Sequence, residues 1–286
     1  MFATARSSQA LLLTPAIVLS CLFVILPLAC IGIYSFWQLQ SNGSLNAAFT
    51  LANWRQLVED SFYLEILLKT AQLAFFSTVI AMIVGFGPAY YMTTLPPNYR
   101  AWLALLLFVP SWISYVVRTM SWLQILGRSG PINTLLMSWG VTSEPLPLLY
   151  NSFSVYIGIV HYALPVMILN IYLGLTSVDK HLIEAGRTLG ASGIQVFFSV
   201  VVPLAIGGIS AGFLICFIWT LGAYITPLLL GGPNSTYYAT LVYETILMQQ
   251  DWPFGSTLAL LLIIILCVCL FFYGRYMGLS HMFRNK

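Results

Sequence analysis

Leu103-Ala104-Leu105-Leu106-Leu107-Phe108-Val109 and Leu260-Leu261-Leu262-Ile263-Ile264-Ile265-Leu266 are apolar at every position. A strand of a membrane barrel would alternate between a lipid face and a lumen face, so uninterrupted runs of this kind exclude it. The helix is the other structure that satisfies its whole backbone in hydrocarbon. Working outward, six segments are apolar over about the 20 residues a spanning helix needs: 11–34, 70–91, 101–120, 153–175, 204–230 and 255–274. With 59% hydrophobic and 7% charged residues the chain cannot cover itself with a solvated surface. The reading is an all-α membrane protein with six transmembrane helices in a single domain over 1–286.

Short cytoplasmic loops carry an excess of Lys and Arg. An inside N-terminus puts Arg6, Arg100, Lys180, Arg187, Arg275, Arg284 and Lys286 in the cytoplasm and Arg55, Lys69, Arg118 and Arg128 outside. Both termini and the loop 177–203 are thereby expected inside. Tyr34, Trp37, Tyr99, Trp102 and Trp252 fall near the predicted interfaces, as an aromatic belt requires. The net charge of +3 reflects this topology and implies no nucleic-acid partner. The apolar run after Arg6 is too long for a signal peptide and lacks a small-x-small cleavage site. All five cysteines lie in apolar segments, and His161, His181 and His281 are scattered, so no metal site is expected. No phosphate-cradling Gly-rich motif with its lysine and no nucleophile–base pair is present, so the chain is expected to be neither an ATPase nor an enzyme.

The loop 177–203 is the charged interruption that carries most information. Asp179 can cap a helix ending near Thr188, with Lys180, Glu184 and Arg187 on its surface. Gly190 suits a left-handed stop, and Ser192 with Gln195 forms a capping box that starts a second helix at Gly193. Pro203 disfavours α geometry at Val202 and is expected to break the chain before the fifth span. Ala185, Gly186, Gly190 and Ala191 would admit another subunit close to the backbone.

Glu184-Ala185-Gly186, three residues, Gly190, nine residues and Val200-Val201-Val202-Pro203 resemble the loop by which permease subunits of bacterial ABC importers dock on their ATPase. Gly186, Val200 and Val202 depart from that family's Ala, Ile and Leu and keep size or apolarity. Val109-Pro110-Ser111-Trp112, Arg118, Trp122, Gly130-Pro131-Ile132-Asn133, Leu164-Pro165, Gly222-Ala223-Tyr224-Ile225-Thr226-Pro227 and Asp251-Trp252-Pro253-Phe254-Gly255 are similar to the branch typified by spermidine/putrescine importers. The resemblance implies a type I importer transmembrane domain in a bacterial inner membrane. It also implies a second related permease, two cytoplasmic ATPase copies holding ATP and Mg, and an external solute-binding protein. Glu184, Ala185, Gly186, Arg187, Gly190 and Pro203 are the docking residues it assigns.

Polar groups at membrane depth are costly unless they face the bundle interior or water. Asn170 and Tyr224 are therefore candidates for the solute path, with packed interhelical roles as the alternative; His161, Tyr172 and Thr226 fit packing better. Glu244 and Asp251 lie in an outer loop without basic residues and would favour a cationic solute, although Asp251 also suits a turn before Pro253. Arg118, at a predicted span end, is expected to snorkel to the interface. A polyamine fits; an amino-acid-derived, phosphonate or metal-chelate solute is the alternative. A secondary transporter would show internal repeats and coupling-ion charges in its spans, and a membrane enzyme a reactive constellation.

Overall fold

The computed structural model describes residue 15 and residues 18–40, 43–233 and 235–275. Arg6, His281, Arg284, Lys286 and most of 11–17 lie outside the described residues. In chain order the elements are α1 (Val18–Tyr34), a two-residue strand pair β1 (Gln38–Leu39) and β2 (Leu45–Asn46), α2 (Ala52–Glu59), α3 (Ser61–Thr94), α4 (Pro97–Trp112) and α5 (Tyr115–Ile125). Then follow α6 (Pro131–Ser138), α7 (Ser152–Thr176), α8 (Lys180–Thr188), α9 (Gly193–Leu221), α10 (Ile225–Leu230), α11 (Tyr238–Tyr243) and α12 (Trp252–Tyr273). Among the described residues α3, α7, α9 and α12 are long and apolar enough to cross a membrane, and α4 with α5 makes a fifth if that bent pair is one span.

Three differences from the expected spans have physical causes. The third segment is not one rod: α4 and α5 meet at 87°. Pro110 sits in a terminal 3-10 turn, and Ile113 and Ser114 are extended at ψ 138° and 135°, which turns the chain. At Pro203 there is no break, because α9 runs from Gly193 through it to Leu221. Val202 is helical at φ −62°, ψ −48°, and a π turn over Phe197–Val201 directly precedes it. A proline inside a helix loses one hydrogen bond and crowds the preceding turn, and the wider π turn accommodates both effects. The fifth segment instead stops at Leu221, and Gly222, Ala223 and Tyr224 separate it from α10.

The chain forms two compact units, residues 1–64 with 241–265 and residues 65–240 with 266–286. In the first, Asn53 donates to the carbonyls of Ser35 (3.3 Å) and Trp37 (2.8 Å), closing the C-terminal side of α1. Thr257 also donates to the Ser35 carbonyl, at 3.2 Å. Phe36 stacks on Phe49 with centroids 4.6 Å apart, and Tyr63 meets Phe254 edge-on at 5.2 Å.

The second unit is organised by α7 against α9, whose core holds Met167, Ile171, Ala205 and Cys216. A Cβ on Gly208 would stand 2.5 Å from the Asn170 carbonyl oxygen and from the Gly174 Cα. Between spanning helices lipid competes for apolar surface, so close backbone approach at small residues supplies the packing. Ser154 donates to the Leu230 carbonyl at 2.8 Å, tying α10 to α7. Asn133 is fully buried and exchanges bonds with Leu146 while donating to the Gly127 carbonyl at 3.0 Å, which fixes the loop after α6.

Gly208→Ala is expected to destabilise the domain by about 1–3 kcal/mol through overpacking. Gly193→Ala, where nothing lies within 4 Å of the added Cβ, is expected to be tolerated. Thermal unfolding of the purified proteins in detergent checks the contrast.

Candidate functional site

The segment from Asp179 to Val196 is a closed helix-turn-helix. Asp179 accepts from the His181 N–H at 2.9 Å and starts α8. The Gly190 N–H bonds the Arg187 carbonyl (2.9 Å) and the Ala191 N–H the Gly186 carbonyl (3.2 Å), with Gly190 at φ +84°. This pair of bonds is a Schellman motif, which needs a left-handed residue that glycine adopts without strain. Ser192 and Gln195 cap the next helix reciprocally at 3.3 and 2.8 Å. The loop is thus a fixed shape whose backbone polar groups are largely satisfied by itself.

Glu184, Ala185, Arg187 and Gly190 are exposed on this shape. Gly186 is not: it faces Val196, whose methyl would lie 3.2 Å from an added Cβ, so its small size serves the packing of α8 on α9. Pro203 is exposed and lies on α9, beyond the π turn. The Glu184 carboxylate has His181 as its neighbour at 3.8 Å rather than Lys180 or Arg187. Three further residues join the surface without having been singled out by sequence. Leu182, Leu189 and Ile194 are exposed, Leu189 at 88%. Large apolar side chains are thereby held out on an otherwise polar turn. A leucine directly before a helix-stopping glycine is the signal that would have pointed to Leu189.

The path candidates divide between the two units. Asn170 and Tyr224 lie in the second, Glu244 and Asp251 in the first. Asn170 donates to the Val166 carbonyl one turn back (2.8 Å), and its Cβ packs against Gly212, as an interhelical packing residue would. Tyr224 is 37% exposed at the start of α10, and Glu244 is half-buried in a π turn that continues α11. Asp251 accepts from the Phe254 N–H at 3.0 Å, so its carboxylate caps α12. His161 accepts from the Trp122 indole N–H at 3.3 Å, on the wall of a cavity of about 700 Å³ otherwise lined chiefly by apolar residues such as Phe76, Ile80 and Leu164. Arg118 does not snorkel: it is 9% exposed and donates to the Pro110 carbonyl at 3.3 Å across the α4–α5 bend. Among the described residues no group of three His, Cys, Asp or Glu side chains is placed to hold a metal ion.

The model of the family described as the binding-protein-dependent transport system inner membrane component matches residues 3–278. The chain belongs to that family. It is a non-catalytic permease subunit of an ABC importer and an inner-membrane protein. It is 32% identical over 254 residues to the spermidine/putrescine transport system permease protein PotB of Escherichia coli K12, covering 89% of this chain and 92% of the relative. Against PotB of Haemophilus influenzae it is 32% identical over 267 residues, covering 92% of each. A putative 2-aminoethylphosphonate transport system permease protein, PhnU of Salmonella typhimurium LT2, is 24% identical over 250 residues, covering 85% and 87%.

The permease also shares its fold with a bacterial ABC transporter involved in the import of the acidic polysaccharide alginate, at TM-score 0.71 and 14% identity over 96% of each chain. The MetNI methionine transporter matches at TM-score 0.57 and 16% identity, covering 75% of this chain and 94% of that one. The fold is therefore the helical transmembrane domain of ABC importers.

Asp251→Asn is expected to keep uptake near the wild-type level, because Asn caps helices as well as Asp does. Asp251→Leu is expected to lose about 1 kcal/mol of stability with the cap. Uptake beside thermal unfolding checks this: loss of uptake in a stable Asp251→Asn protein would mean that the charge itself acts on solute.

Proposed function

We propose that this permease forms one half of the path for a small cationic solute, a polyamine of the spermidine or putrescine type, handed over by an external binding protein. The observation that carries the reading is the self-capped loop from Asp179 to Gln195, with Glu184, Ala185, Arg187, Leu189 and Gly190 outermost. A docking element must hold its shape while force passes through it, and this one hangs on a 29-residue helix, α9, without a break at Pro203. The loop and both termini are cytoplasmic in this reading, by the distribution of Lys and Arg.

The partners are a second, related permease and two ATPase copies, and ATP and Mg bind on the latter. Closure of the ATPases on ATP moves α8, and α9 carries that movement into the bilayer. A ligand shifts such an equilibrium only through contacts that differ between the states, and α8 makes those contacts. The solute class rests on the similarity to the spermidine/putrescine permeases.

Vesicles carrying the complete complex, with the binding protein on one side and ATP on the other, are expected to accumulate labelled spermidine. Glu184→Lys is expected to abolish accumulation while the membrane domain stays folded. Normal uptake by Glu184→Lys would overturn the docking role. ATP hydrolysis stimulated by the binding protein without movement of either polyamine would keep the importer and replace the solute, a phosphonate being the next to try.

A further inference from the structure

The two breaks within the second unit meet each other. Tyr115, the first residue of α5 after the 87° bend, shares a 2.6 Å hydrogen bond with Thr226 at the start of α10. The Tyr115 ring lies 4.5 Å from that of Tyr162, centroid to centroid, and Tyr162 lies 5.6 Å from Trp219. Three helices thus contribute to one row of rings. A cation already sits on it: the Arg118 guanidinium carbon is 5.0 Å from the Tyr162 centroid.

Arg118 is buried in a protein that lives in lipid, and among the described residues no carboxylate forms an ion pair with it. Its hydrogen bond goes to the Pro110 carbonyl. A buried charge without a counter-ion is costly, and the negative faces of aromatic rings are what offset the cost here. The row is reachable from outside the chain, since Tyr115 and Tyr162 are half-buried and Trp219 is 44% exposed.

We propose that Tyr115, Tyr162 and Trp219 form the cation-recognition surface of the solute path, and that Arg118 holds it as a tethered cation which the solute's ammonium groups displace. The proposal rests on the cationic-solute reading above. Rings suit this task better than carboxylates, because a transport site must bind well enough to admit its solute and weakly enough to release it. Rings 4.5 and 5.6 Å apart also offer apolar surface to the alkyl stretches between the ammonium groups of a polyamine. Displacement has a mechanical result: through Tyr162 Arg118 ties α5 to α7, so its departure from the ring frees α5 to shift against α7.

The test uses the complete complex in vesicles, with spermidine as probe, reading uptake beside binding-protein-stimulated ATP hydrolysis. Tyr162→Leu and Trp219→Leu are each expected to lower uptake about tenfold, the scale of a desolvated cation–π contact, with hydrolysis retained. Tyr162→Phe keeps the ring and is expected to transport. Arg118→Gln keeps a donor for the Pro110 carbonyl without the charge and is expected to let spermidine pass down its gradient without ATP. Wild-type uptake by both leucine variants would overturn the proposal, as would a Tyr162→Phe protein as poor as Tyr162→Leu. If Tyr162→Leu does not assemble, the half-exposed Trp219 decides. A wild-type complex that moves no polyamine removes the solute reading and this inference together, which no variant result alone can do.

Discussion

The close approach of α7 and α9 at Gly174 and Gly208 is the contact on which the second unit depends. With the Gly208 Cα next to that of Gly174, there is no room for a side chain on either face. Hydrocarbon offers spanning helices little incentive to associate through apolar area alone, so tight backbone packing has to supply it. That packing fixes the N-terminal half of α9, and with it the turn in which Gly186 rests on Val196. It also carries Ser154 and Gly158 toward Leu230 and Thr226, so the short helix after the second break is held by the same pair of rods.

Irregular backbone at membrane depth persists only where protein or water satisfies it. At the first break the Ile113 N–H and the Arg118 guanidinium both reach the Pro110 carbonyl, while the Ala223 N–H bonds Thr220 at the second. The Tyr115–Thr226 bond then joins the two interruptions. Discontinuous helices are where membrane transporters gather their polar groups, and this chain gathers Tyr115, Thr226 and Arg118 there. The arrangement also explains the motif around residue 130. A Cβ on Gly130 would run into the Gln124 and Ile125 carbonyls, and Asn133 has its amide filled by Gly127 and Leu146, so both residues serve the loop rather than a ligand.

What the sequence made legible was local. Asp179, Gly190 and the Ser192–Gln195 box act within a few residues of themselves, and each adopts the geometry that its chemistry dictates. The apolar runs at 70–91 and 153–175 likewise coincide with α3 and α7. Pro203 misled because the rule that a proline ends a helix assumes an α register before it, and Phe197–Val201 has a π register. Arg118 misled because its burial depends on Tyr162, 44 positions later in the chain, and on a bend that periodicity cannot register. Asp251 was open between field and cap for a similar reason: acidic character is visible in a sequence, whereas the amide it faces is not.

The π turn at Phe197–Val201 has a further consequence, which concerns azimuth. A π turn accommodates one residue more than an α-helix would over the same rise, and each residue of a helix subtends about 100°. Removing a single residue there would return the turn to α geometry and leave α8 at nearly the same azimuth, whereas removing one from the α-helical stretch after Pro203 would point α8 about 100° around the axis of α9. The π turn therefore absorbs one residue of the spacing between Gly190 and Pro203 while keeping the direction in which the loop faces.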